Sequence, residues 1–149
     1  MKPTMMDPEG AYLIATLMLD ALGDEAVDYV GGLEMGAVPI VSAISPVSHR
    51  FDRPLPAFFV RKKAKGHGAR MLIEGIAPGQ SLNGKRVAMV EDVTTTGGSV
   101  LAAIETVREA GGKVVRVLTI VDRQEGAEAA LAAQGLKLTP LFTADEFKN

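Results

Sequence analysis

Apolar residues along this chain fall into two rhythms that alternate from end to end. Ala11, Ile14, Ala15, Met18 and Leu22 recur at helical spacing behind Asp7-Pro8-Glu9, which is a capping aspartate, a proline at the first helical position and an acid in the first turn. Gly23 suits the stop of that helix. Val27 to Val30 reads as a short strand running into Gly31-Gly32-Leu33-Glu34-Met35-Gly36, whose glycines let the backbone approach something closely. A second helix is expected over Val38 to Ser45, with Pro39 tolerated in its first turn and Pro46 ending it. Leu55 to Val60 reads as a strand, Met71 to Glu74 as a short one, and Ala77 to Gly84 as turn chemistry. Val87 to Val90 is a buried strand. A helix follows from about Gly98 to Ala110, turning Val100, Leu101, Ile104 and Val107 inward and stopping at Gly111-Gly112. Val114 to Val121 is a near-continuous apolar strand of the kind that parallel sheets bury on both faces. A small helix from Ala127 to Gln134 and a last strand around Leu136 to Phe142 complete the chain. The alternation predicts a single doubly wound α/β domain over residues 1–149, a mainly parallel sheet flanked by helices.

The candidate chemistry gathers where one strand meets the next helix. Val87-Ala88-Met89-Val90 is followed by two adjacent carboxylates, Glu91 and Asp92, and then by Val93-Thr94-Thr95-Thr96-Gly97-Gly98-Ser99. Open α/β sheets bind ligands beyond the carboxyl ends of their strands, where loops meet helix N-termini. Adjacent strand residues point to opposite faces, but a strand that ends before Glu91 would let both acids face one crevice. The acids would then accept hydrogen bonds from a ribose diol, and the amides of Thr95 to Ser99 would hold a phosphate. The plainer alternative is a capped helix after a strand, with both acids solvated. The segment is not a P-loop, because no Gly-Lys-Ser/Thr follows the turn, and it is not a dinucleotide fingerprint either.

Composition narrows the function classes. Apolar residues make up 47% of the 149 and charged residues 23%, as in ordinary globular proteins. With no cysteine there is no disulfide framework, thiolate metal site or cysteine nucleophile, and two histidines are too few for a metal cluster. No apolar run approaches bilayer length, so a cytoplasmic protein without a membrane segment is expected. The net charge of −2 hides an uneven distribution. Arg61, Lys62, Lys63, Lys65 and Arg70 lie within ten residues that hold no acid, and without those five, 11 basic residues face 18 acidic ones. One local anionic ligand fits this better than nucleic acid, which wants a broad basic face and stacking aromatics.

Residues 61–70 carry two glycines and no apolar periodicity, and so read as a mobile loop. Solvated surface is the plain account of such a run. His67, set between Gly66 and Gly68, favours an arm that closes over a polyanionic leaving group and supplies charge or protons. Arg123, in Asp122-Arg123-Gln124-Glu125 after the long strand, suits a carboxylate or a planar amide edge. A salt bridge to Asp122 or Glu125 serves as well on local grounds. His49, beside Arg50 after the proline, reads as surface.

Val90-Glu91-Asp92-Val93-Thr94-Thr95-Thr96-Gly97-Gly98-Ser99 resembles the phosphoribosyl-pyrophosphate (PRPP) signature of the type I phosphoribosyltransferases. Arg61-Lys62-Lys63-Ala64-Lys65-Gly66-His67-Gly68 is similar to the catalytic loop of the orotate branch, and Asp122 to Glu125 matches that branch too. The resemblance implies the type I phosphoribosyltransferase fold and a magnesium-dependent transfer of ribose 5-phosphate from PRPP to orotate. The products would be orotidine 5′-phosphate and pyrophosphate, at the penultimate step to UMP. It implies that Glu91 and Asp92 hold the ribose hydroxyls, and that Val93 and Thr94 to Ser99, including Thr96, Gly97 and Gly98, hold the 5′-phosphate. Arg61, Lys62, Lys65 and His67 would bind pyrophosphate, while Thr95 and Arg123 would contact orotate. Lys65, His67, Glu91 and Asp92 would carry catalysis. Mg²⁺ would sit on PRPP and water with no direct protein ligand. A homodimer whose 61–70 loop is shared between subunits is implied as well. The alternatives are a non-catalytic PRPP-binding regulator and a transferase for another base. Lys65 and His67 in an intact loop weigh against the first, and the loop pattern with Arg123 against the second.

Two departures accompany the resemblance. Glu34-Met35 stands where many members have a tyrosine–lysine pair, so pyrophosphate binding there would rest on backbone amides, with one fewer cation. Met1-Lys2-Pro3-Thr4 begins about where the family's N-terminal segment ends. That segment supplies a PRPP-binding lysine and an aromatic pair over orotate. Either the chain is truncated or its start has been placed at an internal methionine, and a truncated protein could keep the PRPP half-site and lose orotate affinity.

Overall fold

A computed structural model describes residues 1–63, 66–68 and 72–148. Lys65 and Arg70 of the basic segment, and the Met71 start expected for the following strand, lie outside the described residues.

The first long helix forms where its local code places it. After a five-residue helix α1 (Lys2–Met6), absent from the sequence expectation, α2 spans Pro8–Leu22. The Asp7 carboxylate accepts from the amides of Glu9 and Gly10 at 3.1 and 3.0 Å, and Gly23 at φ 58° takes the C-cap. Strand β1 (Tyr29–Gly31) leads through the first glycine loop to α3 (Val38–Arg50). Pro46 does not end α3, which runs one further turn. That turn buries Val47 and Ser48, and the Ser48 hydroxyl both donates to the Ser45 carbonyl at 2.7 Å and accepts from the Leu55 amide at 2.9 Å. Burial and this relay outweigh the backbone hydrogen bond that an exposed proline forfeits. His49 lies exposed in the last turn of α3.

The remaining elements are β2 (Phe59–Val60), β3 (Ile73–Glu74), β4 (Arg86–Thr94), α4 (Gly98–Glu109), β5 (Lys113–Asp122), α5 (Ala127–Ala132), β6 (Leu138–Thr143) and a 3₁₀ turn over Ala144–Phe147. Four strands make one parallel sheet in the order β1-β4-β5-β6. The stretch expected as a strand over Leu55 to Val60 runs beside β1. Val30 donates to Pro56 at 3.0 Å, Phe58 to Val30 at 3.0 Å and Val60 to Gly32 at 2.7 Å. Only its end, β2, is regular, pairing antiparallel with β3.

Each face of the sheet has its own core, which accounts for the unbroken apolar runs of β4 and β5. Ala88, Val90, Leu118 and Ile120 pack with residues of α2 and α3, including Met18, Ile40 and Ile44. Val87, Met89, Val117 and Leu138 pack with Ile104 and Val107 of α4 and Leu131 of α5 on the other face. The doubly wound, parallel α/β arrangement is as the sequence alternation predicts. Among the described residues no helix is long and apolar enough to cross a membrane.

Candidate active site

Strand β4 does not stop before its acids. The ladder to β5 continues through Glu91↔Thr119, Val93↔Val121 and Thr94↔Asp122. Strand alternation therefore persists through the pair and places the two carboxylates on opposite faces of the sheet edge, not side by side in one crevice. Glu91 lines a crevice of about 320 Å³ together with Val93 to Val100. Asp92 faces the first glycine loop: a Cβ on Gly36 would lie 2.7 Å from Asp92 Oδ1, the same oxygen that accepts from the Val93 amide at 2.9 Å.

Glu91 is buried, and burial pushes its carboxyl up from the ordinary 4.5 to about 7. The charge of Asp92 contributes to that rise, while the charge of Lys62 opposes it. A carboxyl held near neutrality in a crevice is a functional feature in its own right.

The far wall of the crevice is the start of α4. Gly97 caps the helix in the left-handed conformation, φ 92°, against Ala127, where a side chain would be strained. Gly98 and Ser99 are exposed in the first turn, so amides without intrahelical partners point at solvent with the positive end of the helix dipole behind them. Thr95 is half-buried and Thr96 exposed. Thr94 departs from the expectation of a phosphate-facing hydroxyl. It is buried, and its Oγ1 donates to Asp122 Oδ1 at 3.0 Å. That same oxygen accepts from the Gln124 amide at 3.1 Å. Asp122 is thus a strut joining the ends of β4 and β5. Sequence reasoning missed it because the tie depends on the register between two strands 28 residues apart.

The cationic stem stands beside Glu91. Arg61 is half-buried. Its amide donates to the Leu72 carbonyl at 2.7 Å, and its Nη1 lies 3.3 Å from Glu74 Oε1. Its Nε is a buried donor with no acceptor among the described residues. Lys62 is exposed, and its backbone amide donates to Glu34 Oε1 at 2.7 Å. His67 is exposed; Lys65, the other expected catalytic residue of the segment, lies outside the described residues. Arg123 pairs with Glu125 at 3.2 Å, one of the two partners the sequence offered. Both side chains are about half exposed, so the pair is weak enough for a ligand to displace. The Arg123 amide donates to the Thr94 carbonyl at 2.9 Å, which anchors this loop to the mouth of the crevice. No group of three or more His, Asp or Glu side chains able to hold a metal occurs among the described residues.

The first glycine loop packs closely against its neighbours. Gly31 lies against the Phe58 ring, Gly32 against Ala37 and the Val90 carbonyl, and Gly36 against Asp92.

The family model of the phosphoribosyl transferase domain matches residues 7–145 of this chain. The orotate phosphoribosyltransferase of Rhodopseudomonas palustris strain TIE-1 is 59% identical over 149 residues, covering all of this chain and 80% of that protein. Two crystal structures of the Mycobacterium tuberculosis orotate phosphoribosyltransferase superpose well. One, in complex with Fe(III) dicitrate, gives a TM-score of 0.86 at 40% identity, covering 98% of this chain and 79% of the other. The second, in complex with PRPP, gives 0.82 at 37% identity, with coverage of 97% and 80%.

Proposed function

The chain belongs to the orotate phosphoribosyltransferase family, and from that premise we propose how its residues divide the transfer of ribose 5-phosphate from PRPP to orotate. The observation that carries the assignment of roles is one juxtaposition. At the carboxyl end of β4, a helix N-terminus and a cationic stem flank a single buried carboxylate.

In the reaction the bond from the ribose anomeric carbon to pyrophosphate breaks, a bond from that carbon to a ring nitrogen of orotate forms, and the proton of that nitrogen leaves to the released pyrophosphate or to water. Positive charge develops on the ribose ring and negative charge on the departing pyrophosphate, so the protein's contribution is largely electrostatic. The amides of Thr95 to Ser99 hold the 5′-phosphate against the α4 dipole. Glu91 and Asp92, one on each side of the strand end, accept from the ribose hydroxyls and set negative charge beneath the ring. Arg61, Lys62, Lys65 and His67 take the pyrophosphate, and the orphan Nε of Arg61 is a donor suited to one of its oxygens. Thr95 and Arg123 hold orotate, with Arg123 exchanging Glu125 for the substrate carboxylate.

The donor set suits Mg²⁺ bound mainly through PRPP oxygens and water, since the described residues hold no cluster of three acids able to cage a metal and magnesium dehydrates reluctantly. When bound, the ion would neutralise charge on the leaving pyrophosphate.

The assay is direct. Protein supplied with PRPP, Mg²⁺ and orotate should consume orotate absorbance and release pyrophosphate in equal amounts. Turnover of adenine or hypoxanthine in place of orotate would sink the assignment.

We propose also that the protein works as a homodimer that shares the 61–70 segment: Arg61 and Lys62 stay at the crevice of their own subunit, and Lys65 serves the site of the other. Lys65→Ala and Asp92→Asn proteins, each inactive alone, should recover up to about a quarter of wild-type activity per site when mixed, if random subunit exchange builds one intact site per hybrid. Absence of recovery after proven exchange would exclude a shared segment.

A further inference from the structure

We infer that Glu34 is a positioning residue: from the first glycine loop it clamps the chain on both sides of Arg61 and so fixes where the cationic stem stands over the Glu91 crevice. The inference rests on reading that crevice as the PRPP site. Two bonds make the clamp. The Glu34 amide donates to the Val60 carbonyl at 2.8 Å, and the Glu34 carboxylate accepts from the Lys62 amide at 2.7 Å. Arg61, lying between these points, is tied on its other side to the Leu72 carbonyl and to Glu74. The same loop touches the opposite half of the site, because Gly36 is packed against the Asp92 carboxylate. Glu34 therefore sits where the acid pair and the cations are held in register. Its consequence reaches Glu91, which feels the charge of Lys62.

Charge alone argues against an acid here. A carboxylate beside a pyrophosphate site repels the ligand, so its presence needs a compensating geometric role. The side chain is half-buried and spends one oxygen on a backbone amide, which fixes main-chain position and leaves the Lys62 ammonium free for the ligand.

The two roles separate by substitution. Glu34→Gln removes the charge and keeps an acceptor at the same reach; Glu34→Asp keeps the charge and shortens the reach. A clamp predicts that Glu34→Asp raises the KM for PRPP about tenfold, leaves the KM for orotate unchanged and speeds hydrogen exchange at the Lys62 amide by a similar factor. Glu34→Gln should stay within about twofold of wild type on all three readings. Wild-type exchange and KM in Glu34→Asp, or a Glu34→Gln protein as impaired as Glu34→Asp, overturns the inference. So does tighter PRPP binding by Glu34→Gln with Lys62 exchange unchanged in both, which makes Glu34 only an opposing charge. Exchange at Lys62 is read without substrate, so failure of the clamp is distinguishable from failure of the PRPP assignment, which wild-type turnover tests.

Discussion

Glu91→Gln should lower kcat/KM for PRPP by about 10²–10³-fold and remove an acid limb from the pH profile that the wild-type protein shows near pH 7. Glutamine keeps the shape of the side chain and one acceptor oxygen. What it removes is the negative charge beneath a ribose that becomes cationic in the transition state, in a buried setting where charge acts at low dielectric. The ribose hydroxyls need the ionised carboxylate as acceptor, so kcat/KM should fall as pH drops below about 7, where Glu91 takes up a proton in the free protein. The stability of the unliganded protein should move the opposite way. The carboxyl is displaced upward, from 4.5 to about 7, so folding favours the protonated form. Its stabilising contribution is complete below about pH 4.5 and is lost as pH rises through about 7, a change on the order of 3 kcal/mol. Denaturant titrations between pH 4.5 and 8 should show that loss in wild type and a flatter profile in Glu91→Gln. A wild-type kcat/KM independent of pH between 5.5 and 8 would count against an ionised Glu91 in catalysis.

Some of this protein is written locally and some is not. The code of α2 lies within seventeen consecutive residues, cap to terminating glycine, and the helix forms over that span. The acid, threonine and glycine order after Val90 was equally readable, because a buried strand opening onto a helix N-terminus is a local event. Features that depend on long-range pairing were not. The extension of β4 past Glu91 follows from β5 lying alongside through Asp122, and that changes the acids from a side-by-side pair to one on each face. The Thr94 hydroxyl points at Asp122 for the same reason. Helix α3 overrides Pro46 because Ser48 meets a chain seven residues further on. Glu34-Met35 read from sequence as a pair with one fewer cation and gave the Glu34 carboxylate no role. Only the return of the chain at Lys62 gives its carboxylate something to hold. Local grammar located the site, whereas the orientation of its groups came from the sheet register.

The first glycine loop is where fold and site meet most tightly, and two alanine substitutions four residues apart should separate them. A Cβ on Gly32 would overlap the Ala37 Cβ and lie 2.5 Å from the Val90 carbonyl oxygen. Neither neighbour can yield easily: Ala37 is fully buried, and Val90 is buried in the middle of β4 and paired with Leu118 of β5. Gly32→Ala should therefore cost about 3 kcal/mol, read as a thermal midpoint lowered by about 6–12 °C. Gly36 meets a different obstacle. Its Cβ would crowd the Asp92 carboxylate at 2.7 to 3.0 Å, and that is the movable end of a half-exposed side chain. Gly36→Ala should cost less than about 1 kcal/mol of stability and yet displace Asp92, raising the KM for PRPP about tenfold. Calorimetry and steady-state kinetics on the same two proteins decide the matter. A Gly36→Ala protein with normal PRPP kinetics would mean that Asp92 has no part in holding the ribose. A Gly32→Ala protein as stable as wild type would mean that the loop does not seat against β4 as described.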